Sequence, residues 1–152
     1  MDAIDKKIIE LIQFDASLTA REIAEKVGLT TAPCWRRIQR LEAEGIIAAR
    51  VAIIDPEKIN LPVLALVEIR TNRHNAEWLT DFISAIKKFP EIIEAYRTSG
   101  EVDYMLRVVA PNMETYDLFY KKLVEEVDLY DVRTHFVMER IKATTELPLK
   151  YC

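Results

Sequence analysis

Arg36, Arg37 and Arg40 stand close together in the chain, with Gln39 among them and no acidic residue between Thr30 and Leu41. A guanidinium is a planar fork of donors that pairs bidentately with guanine in a major groove, and basic groups nearby neutralise phosphates. Such contacts need a rigid element that projects the side chains together. On a helix advancing about 100° per residue, Cys34, Ile38, Leu41 and Gly45 fall on one side, and Ala32, Arg36, Gln39 and Arg40 on the other. Trp35 and Arg37 flank the polar face, and Trp35 could equally pack against a neighbouring helix. Arginine is mostly exposed in any protein, so the face acquires meaning only from the elements around it.

Those elements begin at Thr19. With Glu22 three positions later it forms a capping box, which satisfies two orphan N–H groups at a helix start. Ile23, Ala24 and Val27 recur at helical spacing, Gly28 supplies the left-handed stop, and Leu29 follows as its apolar contact. Thr30 or Thr31 caps the next helix, and Pro33 sits in its first turn, where a missing N–H costs no intrahelical bond. Helix, glycine turn, helix is the helix-turn-helix pattern. A third helix precedes the pair, from about Asp2, a plausible cap, to Phe14, with Ile4, Ile8, Leu11 and Ile12 as its stripe.

Composition restricts how this unit works. The chain has a formal net charge of -4, and residues 1–60 hold nine Lys/Arg against ten Asp/Glu. The cationic footprint is therefore local, so one copy would hold DNA weakly and paired copies on two half-sites would be the remedy. No apolar stretch approaches the roughly 20 residues of a membrane span, and MDAIDKKIIE lacks the basic-then-apolar order of a signal peptide. A cytoplasmic location is expected. Cys34 and Cys152 lack the CxxC spacing of a metal or redox site. Cys34 reads as a small buried hydrophobe, Cys152 as an exposed thiol, and neither a metal nor a cofactor is expected.

After Gly45 the run IIAARVAIID suits a strand, and Asp55 to Pro62 reads as a linker punctuated by Asp-Pro, Asn60 and Pro62. From Val63 the order changes: VLALVEIR (strand), Ala76 to Phe89 (helix, with Leu79, Phe82, Ile83 and Ile86 on one face), EIIEAYRT (strand), SGEV (turn) and DYMLRVVA (strand). Met113 to Val127 is then a helix with Tyr116, Phe119, Leu123 and Val127 inward, and YDVRTHFVM a last strand. This βαββαβ order predicts an antiparallel sheet with both helices on one face. In the third strand Tyr104, Leu106 and Val108 alternate with Met105, Arg107 and Val109, so both faces carry apolar groups. A second subunit is the economical cover for the helix-free face, the alternative being the first domain folded over it.

DAIDKKIIELIQFDASLTAREIAEKVGLTTAPCWRRIQRLEAEGII, VAIIDPEKINLP and YRTSGEVDYMLRVVAP together resemble the Lrp/AsnC (feast/famine) family of transcriptional regulators, over nearly the whole chain and in order. The resemblance implies an α+β protein: a winged helix-turn-helix (1–48), a strand and hinge linker (49–62), and a ferredoxin-like effector-binding and oligomerisation domain (63–152). It implies double-stranded DNA as partner, dimers assembling to tetramers or octamers, and a small-molecule effector, usually an amino acid. DNA reading would fall to Thr30, Thr31, Ala32, Trp35, Arg36, Gln39 and Arg40, with Arg37 beside them. The effector site would lie at a subunit interface near the turn between the second and third strands, drawing on Tyr96, Thr98, Gly100, Glu101, Asp103 and Tyr104, with Asp131 and Thr134 opposite. An acidic acceptor such as Asp103 would meet the ammonium of a free amino acid, and Gly100 would bring N–H donors close. A plain hairpin would use the same turn residues.

Two other readings compete. Certain haem-precursor decarboxylases resemble the same two-domain family, but their chemistry would fall here to His74, in a polar loop, and His135, on a strand; the acid-free arginine face argues against them. An architectural protein that coats DNA with little sequence preference would use the same local arginines.

Overall fold

Asp2 starts the first helix, α1 (Ala3–Phe14), by accepting the Ile4 and Asp5 N–H groups at 2.9 and 2.8 Å; Asp5 in turn accepts the Asp2 N–H at 3.0 Å. This reciprocal box satisfies the orphan donors of the helix end. The computed structural model describes residues Met1–Cys152. It divides into two compact units, Met1–Ile53 together with Lys142–Cys152, and Ile54–Ile141.

In the first unit α1 is followed by α2 (Ala20–Val27) and α3 (Thr31–Ala43). The Thr19–Glu22 capping box forms as the sequence predicts, and Gly28 ends α2 at φ +73°. Ile8, Ile9, Ile12, Ile23, Ala24, Cys34, Ile38 and Leu41 make one buried cluster among the three helices. Gly45 is not part of the apolar side of α3. The helix has already ended, and Gly45 is an exposed left-handed residue at φ +70° beyond it.

The expected strand in IIAARVAIID does not form. These residues carry no ladder pairing, and Val51, Ile53 and Ile54 are exposed. A strand is defined by its neighbour, and within one copy none lies alongside. Residues 142–152, expected with the C-terminal domain, belong instead to the helical unit. There the Gln13 carboxamide accepts the Leu147 N–H at 2.7 Å and donates to the Leu147 carbonyl at 3.3 Å. Leu149 packs against the helical core, and Lys6 Nζ donates to the Cys152 carbonyl.

The second unit contains β1 (Val63–Arg70), α4 (Ala76–Ile86), β2 (Ile92–Arg97), β3 (Tyr104–Ala110), α5 (Met113–Glu126) and β4 (Asp131–Phe136). The strands form one antiparallel sheet, as the βαββαβ order predicts, and their order within it is β2-β3-β1-β4. Ala65, Val67, Ile69, Leu106 and Val108 are buried in one core with Trp78 and Phe82 of α4 and Tyr116, Phe119 and Leu123 of α5. Trp78 and Phe82 stack at 5.1 Å, and the Trp78 indole N–H donates to the Asp128 carbonyl at 3.0 Å. Ile83, expected inward, is 40% exposed; Trp78 and Ala85 take the inward positions instead. The opposite sheet face, carrying Leu64, Leu66, Glu68, Arg70, Met105 and Arg107, remains half-exposed.

Candidate nucleic-acid interface and effector cleft

The three helices of the first unit expose Thr30, Thr31, Ala32, Trp35, Arg36, Gln39 and Arg40, and leave Arg37 half-buried. Thr30 stands at the N-cap of α3, but its hydroxyl makes no capping bond. Trp35 does not pack inward: it is 53% exposed. Cys34 faces the core as expected, and burial pushes its thiol pKa up.

The polar members of this face differ in what they are free to do. Arg37 Nη1 donates to Asp2 Oδ2 at 2.7 Å and to Asp5 Oδ1 at 2.8 Å, while Arg40 Nη2 donates to Asp5 Oδ2 at 2.6 Å. Gln39 donates to Glu42 at 2.9 Å. Arg36 has no hydrogen-bond or ion-pair partner within the chain, so it is the one guanidinium on the face with its whole fork available. Asp5 is only 2% exposed and is the most buried carboxylate of the unit. Burial alone would raise its pKa; the Asp2 N–H and Arg37 more than offset that, and the net shift is downward. Asp2 is held at about 2, chiefly by the Asp5 backbone N–H and then by Arg37. The same pairing raises the pKa of Arg37, through Asp2 first and Asp5 second.

Reading the sequence by helical wheel missed this clamp. The signal was present as matched spacing: Asp2 and Asp5, three apart at the start of α1, face Arg37 and Arg40, three apart on α3. Residues three apart share a helix face.

In the second unit a cleft of about 190 Å³ is lined by Glu68, Arg70, Glu101, Val102, Asp131 and Arg133. Strand register creates it, since Glu68 lies opposite Arg133 and Arg70 opposite Asp131 across the β1–β4 pair. Glu101 comes from the β2–β3 turn, where Gly100 adopts φ +118°. Of the residues expected at an effector site, Glu101 and Asp131 line this cleft. Tyr96 is exposed and donates its hydroxyl to Glu94 at 2.9 Å, which raises its pKa. Thr98 closes the turn through Oγ1 on the Val102 carbonyl at 2.5 Å, and the Asp103 carboxylate accepts the Thr71 N–H at 2.8 Å. Tyr104 and Thr134 point to the helix layer. Tyr104 is buried 4.7 Å from the Phe82 ring, and the Thr134 hydroxyl shares a 2.6 Å hydrogen bond with that of Tyr116. Glu68, Arg70 and Arg133 were not anticipated, although alternation along β1 and β4 puts them on the helix-free face. His74 is exposed, and His135 Nε2 lies 3.5 Å from Glu68 on the sheet.

Comparison with known proteins gives both units relatives. The winged helix-turn-helix DNA-binding family model matches residues 1–48, and the Lrp/AsnC ligand binding domain matches residues 64–147. The DNA-binding transcriptional activator DecR of Escherichia coli (strain K12) is 46% identical over 151 residues, covering 99% of each chain. The crystal structure of an AsnC family transcriptional regulator from Agrobacterium tumefaciens matches at 50% identity and a TM-score of 0.95, with 99% of each chain covered. The complex of the transcriptional regulator NMB0573 from Neisseria meningitidis with L-Met matches at 32% identity and the same TM-score of 0.95, covering 99% of this chain and 98% of that one. With the ligand-binding model spanning more than half of its length and near full-length relatives above 30% identity, the chain belongs to the Lrp/AsnC family of transcriptional regulators.

Proposed function

We propose that this chain is a sequence-specific DNA-binding regulator that works as an assembly of copies and answers to a free amino acid. The observation that carries the DNA reading is the outward face of α3, free of acids from Thr31 to Leu41, with Arg36 unpartnered and Trp35 and Ala32 exposed beside it. A helix presenting one free guanidinium among small and apolar groups suits a major groove. Arg37 and Arg40, neutralised in part by Asp2 and Asp5, act mainly to fix the angle between α1 and α3. The low local charge makes a second recognition helix necessary for useful affinity. The helix-free sheet face, with half-exposed Leu64, Leu66 and Met105 among its charges, is the surface on which copies would join.

The effector reading is supported by the cleft's charges. A free amino acid is a zwitterion, and Arg70 and Arg133 suit its carboxylate while Glu68, Glu101 and Asp131 suit its ammonium. The L-Met complex of the Neisseria regulator supports that class of ligand. Binding would act on DNA affinity only through unequal affinity for different arrangements of the subunits.

Duplexes selected in vitro from a random pool should bind the wild-type chain in the presence of excess nonspecific DNA. A chain that enriches no sequence would be an architectural protein instead. A thermal-shift screen of the twenty amino acids tests the effector, because a ligand that binds only the folded state must raise its stability. A shift lost in Arg70→Ala and Arg133→Ala supports the cleft, whereas a flat screen at millimolar concentrations removes the amino-acid reading and leaves the DNA reading standing.

A further inference from the structure

The two tryptophans of this chain are treated in opposite ways. Trp78 is buried with its indole N–H bonded to the Asp128 carbonyl, the usual arrangement for a large amphipathic ring. Trp35 is 53% exposed on α3, and its indole N–H bonds to nothing in the chain. Leaving that much apolar ring in water forfeits burial that stabilises other large side chains. Beside it lie exposed Ala32, one α-helical turn back, and exposed Arg36, whose guanidinium has no partner within the chain. An occupant must therefore offer an acceptor to Arg36 and an apolar group to Trp35. Duplex DNA meets both conditions, and the apolar feature of its major groove is the C5-methyl group of thymine.

We infer that Trp35, with Ala32, reads thymine through its C5-methyl group, next to a base contact by Arg36. This rests on the reading of α3 as the DNA-recognition helix. The rest of the polar face favours it, because Arg37 and Arg40 are engaged by Asp2 and Asp5 and Gln39 by Glu42. Apolar contact must then supply part of the discrimination that a row of free polar groups would otherwise give. Each half-site should hold a thymine within reach of Trp35, close to the base read by Arg36. Trp35 carries no charge and displaces no counterion, so it should contribute specificity without contributing to salt dependence.

The test uses the full-length chain and a duplex selected from a random pool. Each thymine is replaced in turn by deoxyuridine, which removes only the methyl group, and affinity is read by fluorescence anisotropy at fixed salt. One thymine per half-site should lose about fourfold in affinity for the wild type, the value of one buried carbon of this size. Trp35→Ala should bind the thymine and deoxyuridine duplexes equally, with an unchanged salt slope, and Trp35→Phe should recover part of the difference. Because the side chain is half in water, both variants should melt as the wild type does. A selected duplex bound without methyl dependence at any position, or a dependence that survives in Trp35→Ala, overturns the thymine contact alone. If no duplex is enriched, the DNA-reading assignment fails first and this inference with it.

Discussion

Arg40 Nη2 lies 2.6 Å from Asp5 Oδ2, so a side chain on the solvent face of α3 is joined to one that is almost fully buried at the start of α1. Removing the charge of Asp5 while keeping its shape separates the roles of the pair. Asp5→Asn keeps an acceptor for the capping box and should cost about 2 kcal/mol of stability, the scale of a hydrogen bond to a charged group. It should also free Arg40 for phosphate. Nonspecific duplex binding should then strengthen, and its dependence on log salt should steepen by about 0.9 for one added phosphate contact. Anisotropy titrations at several salt concentrations measure both, and an unchanged slope would show that Arg40 cannot reach DNA.

Acid should weaken the helical unit through the same carboxylates. Asp2 and Asp5 have lower pKa values folded than unfolded, Asp2 falling from 3.8 to about 2. Groups depressed in this way give stability that is complete above the unfolded pKa and lost as pH falls through the folded one. The melting temperature should therefore hold through pH 5 to 7 and fall between about pH 4 and pH 2. In Asp5→Asn that fall should be shallower. Superimposable acid limbs for the two proteins would mean that carboxylates elsewhere, such as Asp15 and Glu22, dominate.

Arg36 and Arg37 are adjacent and should respond differently to alanine. Arg36→Ala should weaken a selected operator by about 1–3 kcal/mol with no change in melting temperature, as expected of a base contact. Arg37→Ala should lower the melting temperature, since it leaves Asp5 short of a partner in a nearly dry position. Equal operator affinity for wild type and Arg36→Ala would remove Arg36 from the reading face.

The segment Lys142–Cys152 should stabilise the helices it returns to. Gln13→Ala deletes both hydrogen bonds to Leu147 and should cost about 1 kcal/mol. Leu149→Ala, at a half-buried site, should cost about 1–2 kcal/mol, below the range of a fully buried leucine. Denaturant titration of the full chain gives both values, and wild-type midpoints would show that the segment is a passive passenger.

Elements fixed by local chemistry were readable from the chain alone. The Thr19–Glu22 box, the left-handed Gly28 and the inward Tyr116, Phe119 and Leu123 of α5 all depend on spacing within one helix; Val127 is also inward, but as the extended residue just past its end. What escaped depends on partners far away in sequence. Asp5 looks like an ordinary first-turn acid until Arg37 and Arg40 are placed opposite it, and Val51 to Ile54 look like a strand although no strand accompanies them. The cleft was half legible for the same reason. Glu101 and Asp131 follow from the turn and the last strand, but Glu68, Arg70 and Arg133 join them only through the β1–β4 register. The two-residue alternation of a strand turns Tyr104 and Thr134 away from this cleft, toward the helix layer.

The helical unit is assembled from two segments separated by the whole sheet domain. During synthesis the residues that bond Gln13 and cover the helical core with Leu149 leave the ribosome only after β4 has been made. The core shared by the three helices can form earlier, but in a nascent chain cut short just beyond β4 it would lack the cover of Leu149 and the bonds to Gln13. Order of translation thus places the last contacts of the helical unit after the whole of the sheet unit, even though its helices are made first.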